Sequence, residues 1–399
     1  MSVVGPSPSQ LQIDVKQANK REGEFLNSGY IDYTISAICN HPAFPAGYFT
    51  VERRYSDFAW LRDEMGKDYP GLIIPALPEK QILGTFEQQF IEARKRGIQK
   101  FLNKVAANDT LVKDAKFISF LTATEKEFGG LRLASEQDKQ ESMATQLTSW
   151  FDQTYNSVFD TFTGVTPAEV AKVAPCESEG EIEKCSQYLD RLDDYVKKLI
   201  VKAQEKLTMD TQLAQSSTAF GNSFLQLSGK QHGLAAASFG QIGQRACRSG
   251  EIGDSMVVNE EEHFMEPFKE FHLYILSAKE TVQRRENIKK LYIEAVKDLN
   301  TCAARVDDPA KPGEKQATVE AAKARVESTH KDFEDVTAIF LREFSAFQSD
   351  SRGDVIKAMF NFVRLQADYH KRCGTAWDEY QDNQYVAVPV HAEGSCSLS

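Results

Sequence analysis

Apolar positions alternate in short runs along the first 128 residues and recur every three or four residues over long stretches from about residue 138. Strict alternation marks a half-buried strand, whereas the 3–4 spacing marks one face of a helix. Residues 11–15, 30–38 and 49–55 mix β-branched and aromatic residues with polar ones and predict three strands, with a turn from His41-Pro42 to Gly47 before the third. Ser56-Asp57 offers an N-cap for a helix through about Met65. Pro70, Pro75 and Pro78 predict an extended chain over 70–83. Phe90, Ala93, Gly97, Phe101 and Val105 restore helical spacing over 86–105, and a third helix is expected near 111–121. Three strands followed by three helices make an α+β unit.

The remainder predicts three long helices, over about 138–228, 255–305 and 314–386. Phe264, Phe268, Phe271, Ile275, Ala278 and Val282 advance by alternate steps of 4 and 3, the coiled-coil period. Met359, Phe362, Gln366, Tyr369, Cys373, Ala376 and Tyr380 repeat the pattern. Pro309, Pro312 and Gly313 break the second helix from the third, and the Gly-rich stretch 229–255 reads as a further loop or a broken helix. A 70-residue helix runs roughly 100 Å. Apolar stripes that long are buried most simply by antiparallel pairing plus dimerisation.

Composition narrows the chemistry. The 399 residues are 41% hydrophobic and 26% charged, the balance of a soluble globular chain of two or three domains. No apolar run approaches a membrane span, and Met1 to Gln10 lacks a secretory pattern, so any membrane contact is expected to be peripheral. The seven cysteines show no C-x-x-C spacing and read as reduced thiols. All of the net charge of −11 falls beyond residue 128, which argues against nucleic acid as a partner. No zinc-protease, dinucleotide, P-loop or nucleophile-elbow motif is present. No cofactor, no metal and no enzymatic activity are expected.

Three segments carry the candidate chemistry: Arg53-Arg54-Tyr55-Ser56-Asp57-Phe58, the proline loop from Ile73 to Lys80, and Ile91-Glu92-Ala93-Arg94-Lys95-Arg96. Arginine supplies bidentate bonds to phosphate and lysine a point charge, so separated basic positions flanking an aromatic suit a phosphoinositide headgroup. In this order the motifs resemble the phox-homology (PX) family over about residues 10–128. The resemblance implies that Arg54 binds the 3-phosphate, Tyr55 stacks on the inositol ring, Lys80 binds the 1-phosphate and Arg94 binds the 4- and 5-hydroxyls of phosphatidylinositol 3-phosphate. Ala76 departs from the family's Pro-Pro-x-Pro loop. Ile82, Leu83 and Phe86 could enter a bilayer or pack in the core.

Leu147, Trp150, Phe151, Tyr155, Val158, Phe159 and Phe162 share one helical face, opposite an almost uncharged polar face. An amphipathic helix of that kind inserts by apolar burial rather than Coulomb attraction. Packing against the N-terminal half or starting the helical bundle are its other readings. The long helices, with Ser217-Thr218-Ala219-Phe220 and Ala376-Trp377-Asp378-Glu379-Tyr380, resemble the BAR domain of sorting nexins. That resemblance implies a dimer touching membrane through its concave face and tips, with Lys311, Lys315, Lys323 and Arg325 as candidate tip contacts.

The fold expected is therefore an α+β PX domain, a three-stranded antiparallel sheet plus helices, followed by an all-α BAR domain of three long coiled-coil helices. Expected boundaries are 1–128 for PX, 129–165 for a linker with the amphipathic helix, 166–388 for BAR and 389–399 for a disordered tail. The function implied is that of a phosphatidylinositol 3-phosphate-binding, curvature-sensing and tubulating sorting nexin. It would act in endosomal sorting and retrograde transport, peripheral on the cytosolic face of endosomes. Implied partners are a second copy or another sorting nexin, and the retromer cargo-recognition subunits. The alternative is a coiled-coil scaffold anchored to endosomes by its PX domain without remodelling them.

Overall fold

The computed structural model describes residues 11–21, 30–78, 88–141, 178–304 and 312–378. Strands β1 (Leu11–Arg21), β2 (Tyr30–Cys39) and β3 (Gly47–Arg54) form an antiparallel sheet in the order β1-β2-β3. The first strand is longer than its alternating segment because its register shifts between Val15 and Gln17 and pairing then continues to Arg21 with Tyr30. The Gln99 side chain accepts the Val15 N–H at 2.7 Å and donates to the Ile13 carbonyl at 2.9 Å, sealing part of this edge strand.

Helices α1 (Tyr55–Asp68), α2 (Gln88–Ala107), a 3₁₀ turn (Leu111–Lys113), α3 (Ala115–Thr122) and α4 (Glu125–Glu141) follow. The cap of α1 differs from the expected Ser56-Asp57. Arg54 is the N-cap position, and Asp57 is three residues inside, where its Oδ2 accepts the Arg54 N–H at 2.9 Å. Tyr33, Ile35, Phe58, Leu61, Ile98, Phe101, Phe117 and Phe120 are buried in one core between sheet and helices.

The long helices are α5 (Glu179–Ser228), α6 (Gly233–Glu260), α7 (Glu266–Ala304) and α8 (Pro312–Asp378). Residues 142–177, within the expected first long helix, lie outside the described residues. So do the tail at 389–399 and most of the second interhelical loop at 305–311. Of the two readings of the Gly-rich stretch, the broken helix holds: 229–232 interrupts the helices, and Gly233 onward is helical. Its glycines serve close packing. A Cβ on Gly250 would press into the Thr218 hydroxyl and stand 2.8 Å from the Ala214 carbonyl oxygen, and one on Gly221 would stand 2.6 Å from the Cys247 nitrogen. Gly250→Leu is expected to force α5 and α6 apart and cost about 3 kcal/mol, measured by urea unfolding; an unchanged midpoint would refute the packing role.

Between α6 and α7 the helix widens into one π turn (Glu261–Met265). Pro267 lies just beyond; its ring crowds the carbonyl four residues back and donates no hydrogen bond, which favours such local widening.

The chain divides into two compact units, Met1–Asp193 with His272–Ser349, and Asp194–Phe271 with Asp350–Ser399. In the second, Ala203, Leu207, Phe264, Met265, Phe268 and Ala358 form a core, with the Phe264 and Phe362 rings 4.6 Å apart. Buried Glu260 is satisfied there by Lys206 at 2.9 Å and Gln366 at 3.1 Å. Of the predicted stripes, Phe264, Phe268, Ile275 and Ala278 are buried as expected. Met359 is 55% exposed: Val355, Ala358 and Phe362 face the core, and Met359 turns outward.

Candidate functional site

Alternation along β3 sends Arg53 and Arg54 to opposite sides of the sheet. Arg53 is almost fully buried. It donates to the carbonyls of Phe120 at 3.1 Å, Glu52 at 2.9 Å and Ala123 at 2.7 Å, and lies over the Phe128 ring at 4.4 Å. Burial lowers this guanidinium to about 10 against the opposing pull of Asp57 and Glu125, so it remains a cation at neutral pH. Its partners are structural. Arg53→Met would strand the Phe120 and Ala123 carbonyls and is expected to cost roughly 3 kcal/mol of stability; thermal melting checks this, and an unchanged midpoint would count against the assignment.

Arg54 is half exposed, with its guanidinium 5.6 Å from the Tyr30 ring. The next residue, Tyr55, begins α1. Its hydroxyl donates to the Pro78 carbonyl, and the Arg94 guanidinium of α2 stands 4.5 Å from its ring centroid. Arg94 is also 4.2 Å from the Phe90 ring and is itself mostly buried. Buried Tyr33 below is pushed above its ordinary range by desolvation, with Arg94 drawing it partly back. Of the four predicted headgroup residues, Tyr55 of α1 and Arg94 of α2 are thus in contact, and Arg54 is the chain neighbour of Tyr55 at the end of β3, with its guanidinium near Tyr30. Lys80 lies outside the described residues, as do Ile82, Leu83 and Phe86.

The proline loop is non-helical, as its prolines predict, but it opens with a turn at 70–72, closed by the Leu72 N–H on the Tyr69 carbonyl, rather than being extended from Pro70. Its carbonyls are held by side chains from two directions. Arg284 of α7 donates to Leu72 at 2.8 Å and Pro70 at 3.3 Å, and Thr281 donates to Leu72 at 3.2 Å. Arg62 of α1 donates to Pro75 at 3.0 Å and pairs with Glu280 of α7 at 2.6 Å. Burial lowers Arg284 to about 10, with Glu280 opposing the shift and Arg62 adding to it. A loop with Ala76 at a family proline position is thereby fixed by hydrogen bonds. Sequence reasoning missed Arg62 and Arg284, because nothing in the local pattern around residue 284 signals a loop some 200 positions earlier.

The other predicted groups are placed less completely. Leu147, Trp150, Phe151, Tyr155, Val158, Phe159 and Phe162 lie outside the described residues, as does Lys311, and the side chain of Lys315 is not described. Lys323 is exposed and stands 3.7 Å from Glu320; Arg325 is half exposed and pairs with Asp298 of α7 at 2.6 Å. Among the described residues no cluster of His, Cys, Asp or Glu could hold a metal ion, and no helix is long and apolar enough to cross a membrane.

Two outward stripes complete the surface. Tyr195, Leu199, Met209, Leu213, Phe220 and Leu227 of α5 are exposed and fall within roughly an 80° arc at 100° per residue. Leu199, Lys206, Leu213, Phe220 and Leu227 recur at intervals of seven. Ile356, Met359, Phe360, Val363 and Trp377 of α8 share a second exposed arc.

Residues 41–124 match the PX domain family, and residues 152–383, more than half of the chain, match the family described as Vps5 C terminal like. Sorting nexin 1 of Arabidopsis thaliana is 26% identical over 360 residues, covering 87% of this chain and 86% of that one. The vacuolar protein sorting-associated protein vps5 of Schizosaccharomyces pombe is 23% identical, covering 84% of this chain and 58% of its own length. The fold is similar to that of the SNX-BAR Mvp1 in its tetramer structure, with a TM-score of 0.64 at 18% identity over 92% of this chain and 99% of that one.

Proposed function

This chain belongs to the PX-BAR sorting nexins, and from that premise we propose that it binds phosphatidylinositol 3-phosphate and, as a dimer, senses and tubulates endosomal membrane. The observation that carries the lipid assignment is the Arg94 guanidinium of α2 standing 4.5 Å from the Tyr55 ring, next in the chain to a half-exposed Arg54. Arg54 offers its fork to the 3-phosphate. Tyr55, beside the Arg94 guanidinium, stacks on the inositol ring, Arg94 binds the 4- and 5-hydroxyls, and Lys80 supplies the 1-phosphate contact. Selection of the 3-phosphate directs the protein to the cytosolic face of endosomes, in retrograde transport with the retromer cargo-recognition subunits. It acts as an adaptor and not as an enzyme.

The α5 and α8 stripes support the dimer. Apolar side chains at heptad intervals left in solvent mark a helical surface made for another helix. The occupant is a second copy or another sorting nexin. The working domains are PX over 1–128, a linker with the inserting helix over 129–165 and BAR over 166–388. Lys311, Lys315, Lys323 and Arg325 add tip contacts, with Arg325 first leaving Asp298. Because the helical half is acidic, the two PX sites of a dimer supply most of the attachment through avidity.

Electron microscopy of vesicles containing phosphatidylinositol 3-phosphate tests the remodelling reading. Tubules that form with wild-type protein and fail with Arg54→Ala support it. Protein-coated vesicles that stay round identify an anchored scaffold instead.

A further inference from the structure

We propose that Arg132, which lies between the two family-matched regions, is a positioning residue of the headgroup site: it holds the Asp57 carboxylate so that Arg54 stays available to a phosphate. The inference rests on the reading of Arg54 as the phosphate ligand. Asp57 is the acidic group nearest that arginine in the structure described, and its side chain is only 11% exposed. Its two oxygens are engaged differently. Oδ2 accepts the Arg54 backbone N–H at 2.9 Å, and Oδ1 forms a close ion pair with Nη1 of Arg132 on α4. The Arg54 Nε stands 3.9 Å from Oδ1, beyond hydrogen-bond reach. Arg53 adds a nearby positive charge, but its N–H groups point at the carbonyls of Glu52, Phe120 and Ala123.

This geometry resolves a competition. A buried carboxylate recruits the nearest cation, because an unpaired charge in a poorly hydrated place is costly. Without Arg132, the nearest mobile cation is Arg54, which would swing inward and withdraw its donors from solvent. A phosphate arriving at Arg54 would also meet an uncompensated negative charge. Arg132 removes both obstacles from outside the PX-matched residues. The helix that carries it has its own anchor: the Phe128 ring packs edge-on against Trp60 at 5.3 Å and Phe120 at 5.5 Å. Replacing Arg132 therefore need not release α4. Headgroup binding and the Arg132–Asp57 pair are linked, and by thermodynamic reciprocity each strengthens the other.

The test is sedimentation of full-length wild type, R132Q, D57N and the D57N/R132Q double variant with phosphatidylcholine vesicles, with and without phosphatidylinositol 3-phosphate. Asparagine at 57 keeps an acceptor for the Arg54 N–H and removes the charge. R132Q is expected to bind the phosphoinositide vesicles about fivefold more weakly, the scale of one competing ion pair. D57N should bind more tightly, and the double variant should match D57N. That rescue is the signature a merely structural role does not produce. R132Q binding equal to wild type, D57N binding more weakly, or a double variant as weak as R132Q each overturns the inference while leaving the lipid assignment intact. Should R132Q misfold by circular dichroism, the gain in D57N alone decides. Wild type that does not distinguish the two kinds of vesicle overturns the lipid assignment and the inference with it.

Discussion

Arg54→Ala is expected to abolish sedimentation with phosphatidylinositol 3-phosphate vesicles while leaving the melting temperature within a degree or so of wild type, about what an exposed surface change costs. The two halves of this result come from one structural fact. Arg54 is half exposed, with its guanidinium outside hydrogen-bond distance of Asp57, so little of the fold depends on it. A guanidinium–phosphate pair with charge-assisted bonds contributes about 1.5–3 kcal/mol, or roughly ten- to a hundredfold in affinity at each site. A dimer attached through two such sites loses more than either alone, because the second contact is made at high effective concentration. Arg53, one residue earlier and equally basic, should behave in the opposite way, losing stability first. Lipid binding by folded Arg54→Ala at wild-type strength would remove the headgroup assignment.

The second large effect concerns assembly. Leu213→Asp combined with Phe360→Asp is expected to convert a dimer to a monomer in analytical ultracentrifugation. Both positions are exposed in the single chain, Leu213 at 56% and Phe360 at 63%, so neither substitution disturbs the chain's own core. In an interface each side chain would bury about 1.5–3 kcal/mol of apolar surface, and the symmetric copy doubles the loss. Charges placed in the seam add desolvation and repulsion. A monomer of this kind should still recognise the phosphoinositide, weakly, since the Arg54 junction lies elsewhere in the sequence. A double variant that remains dimeric would show that the stripes face something other than the partner helix.

The sequence made some of this legible and hid the rest for physical reasons. Alternation located all three strands, because one face of the sheet is buried and every second residue reports it. The prolines at 70, 75 and 78 located the non-helical loop, because a ring that lacks an N–H disfavours helix there. The glycines left loop and broken helix open. Gly250 and Gly221 stand where two helix backbones nearly touch, a role that composition alone does not separate from a loop. Met359 fitted a 3–4 stripe in one dimension, but α8 carries two apolar arcs, and only contacts tell the inward from the outward one. Local motifs singled out Arg54, Tyr55 and Arg94 as the proposed headgroup residues. The burial of Arg53, the pairing of Arg62 with Glu280 and the loop contacts of Arg284 were not legible in such motifs, because each depends on partners far along the chain.

The central claim, that a headgroup site and a dimeric helical surface act together on curved endosomal membrane, is tested most directly by sedimenting wild-type protein with vesicles of two diameters, with and without phosphatidylinositol 3-phosphate. The account predicts binding that requires the lipid and is stronger on the smaller vesicles at equal total lipid. Binding that is independent of the lipid, or equal on both sizes, would contradict it.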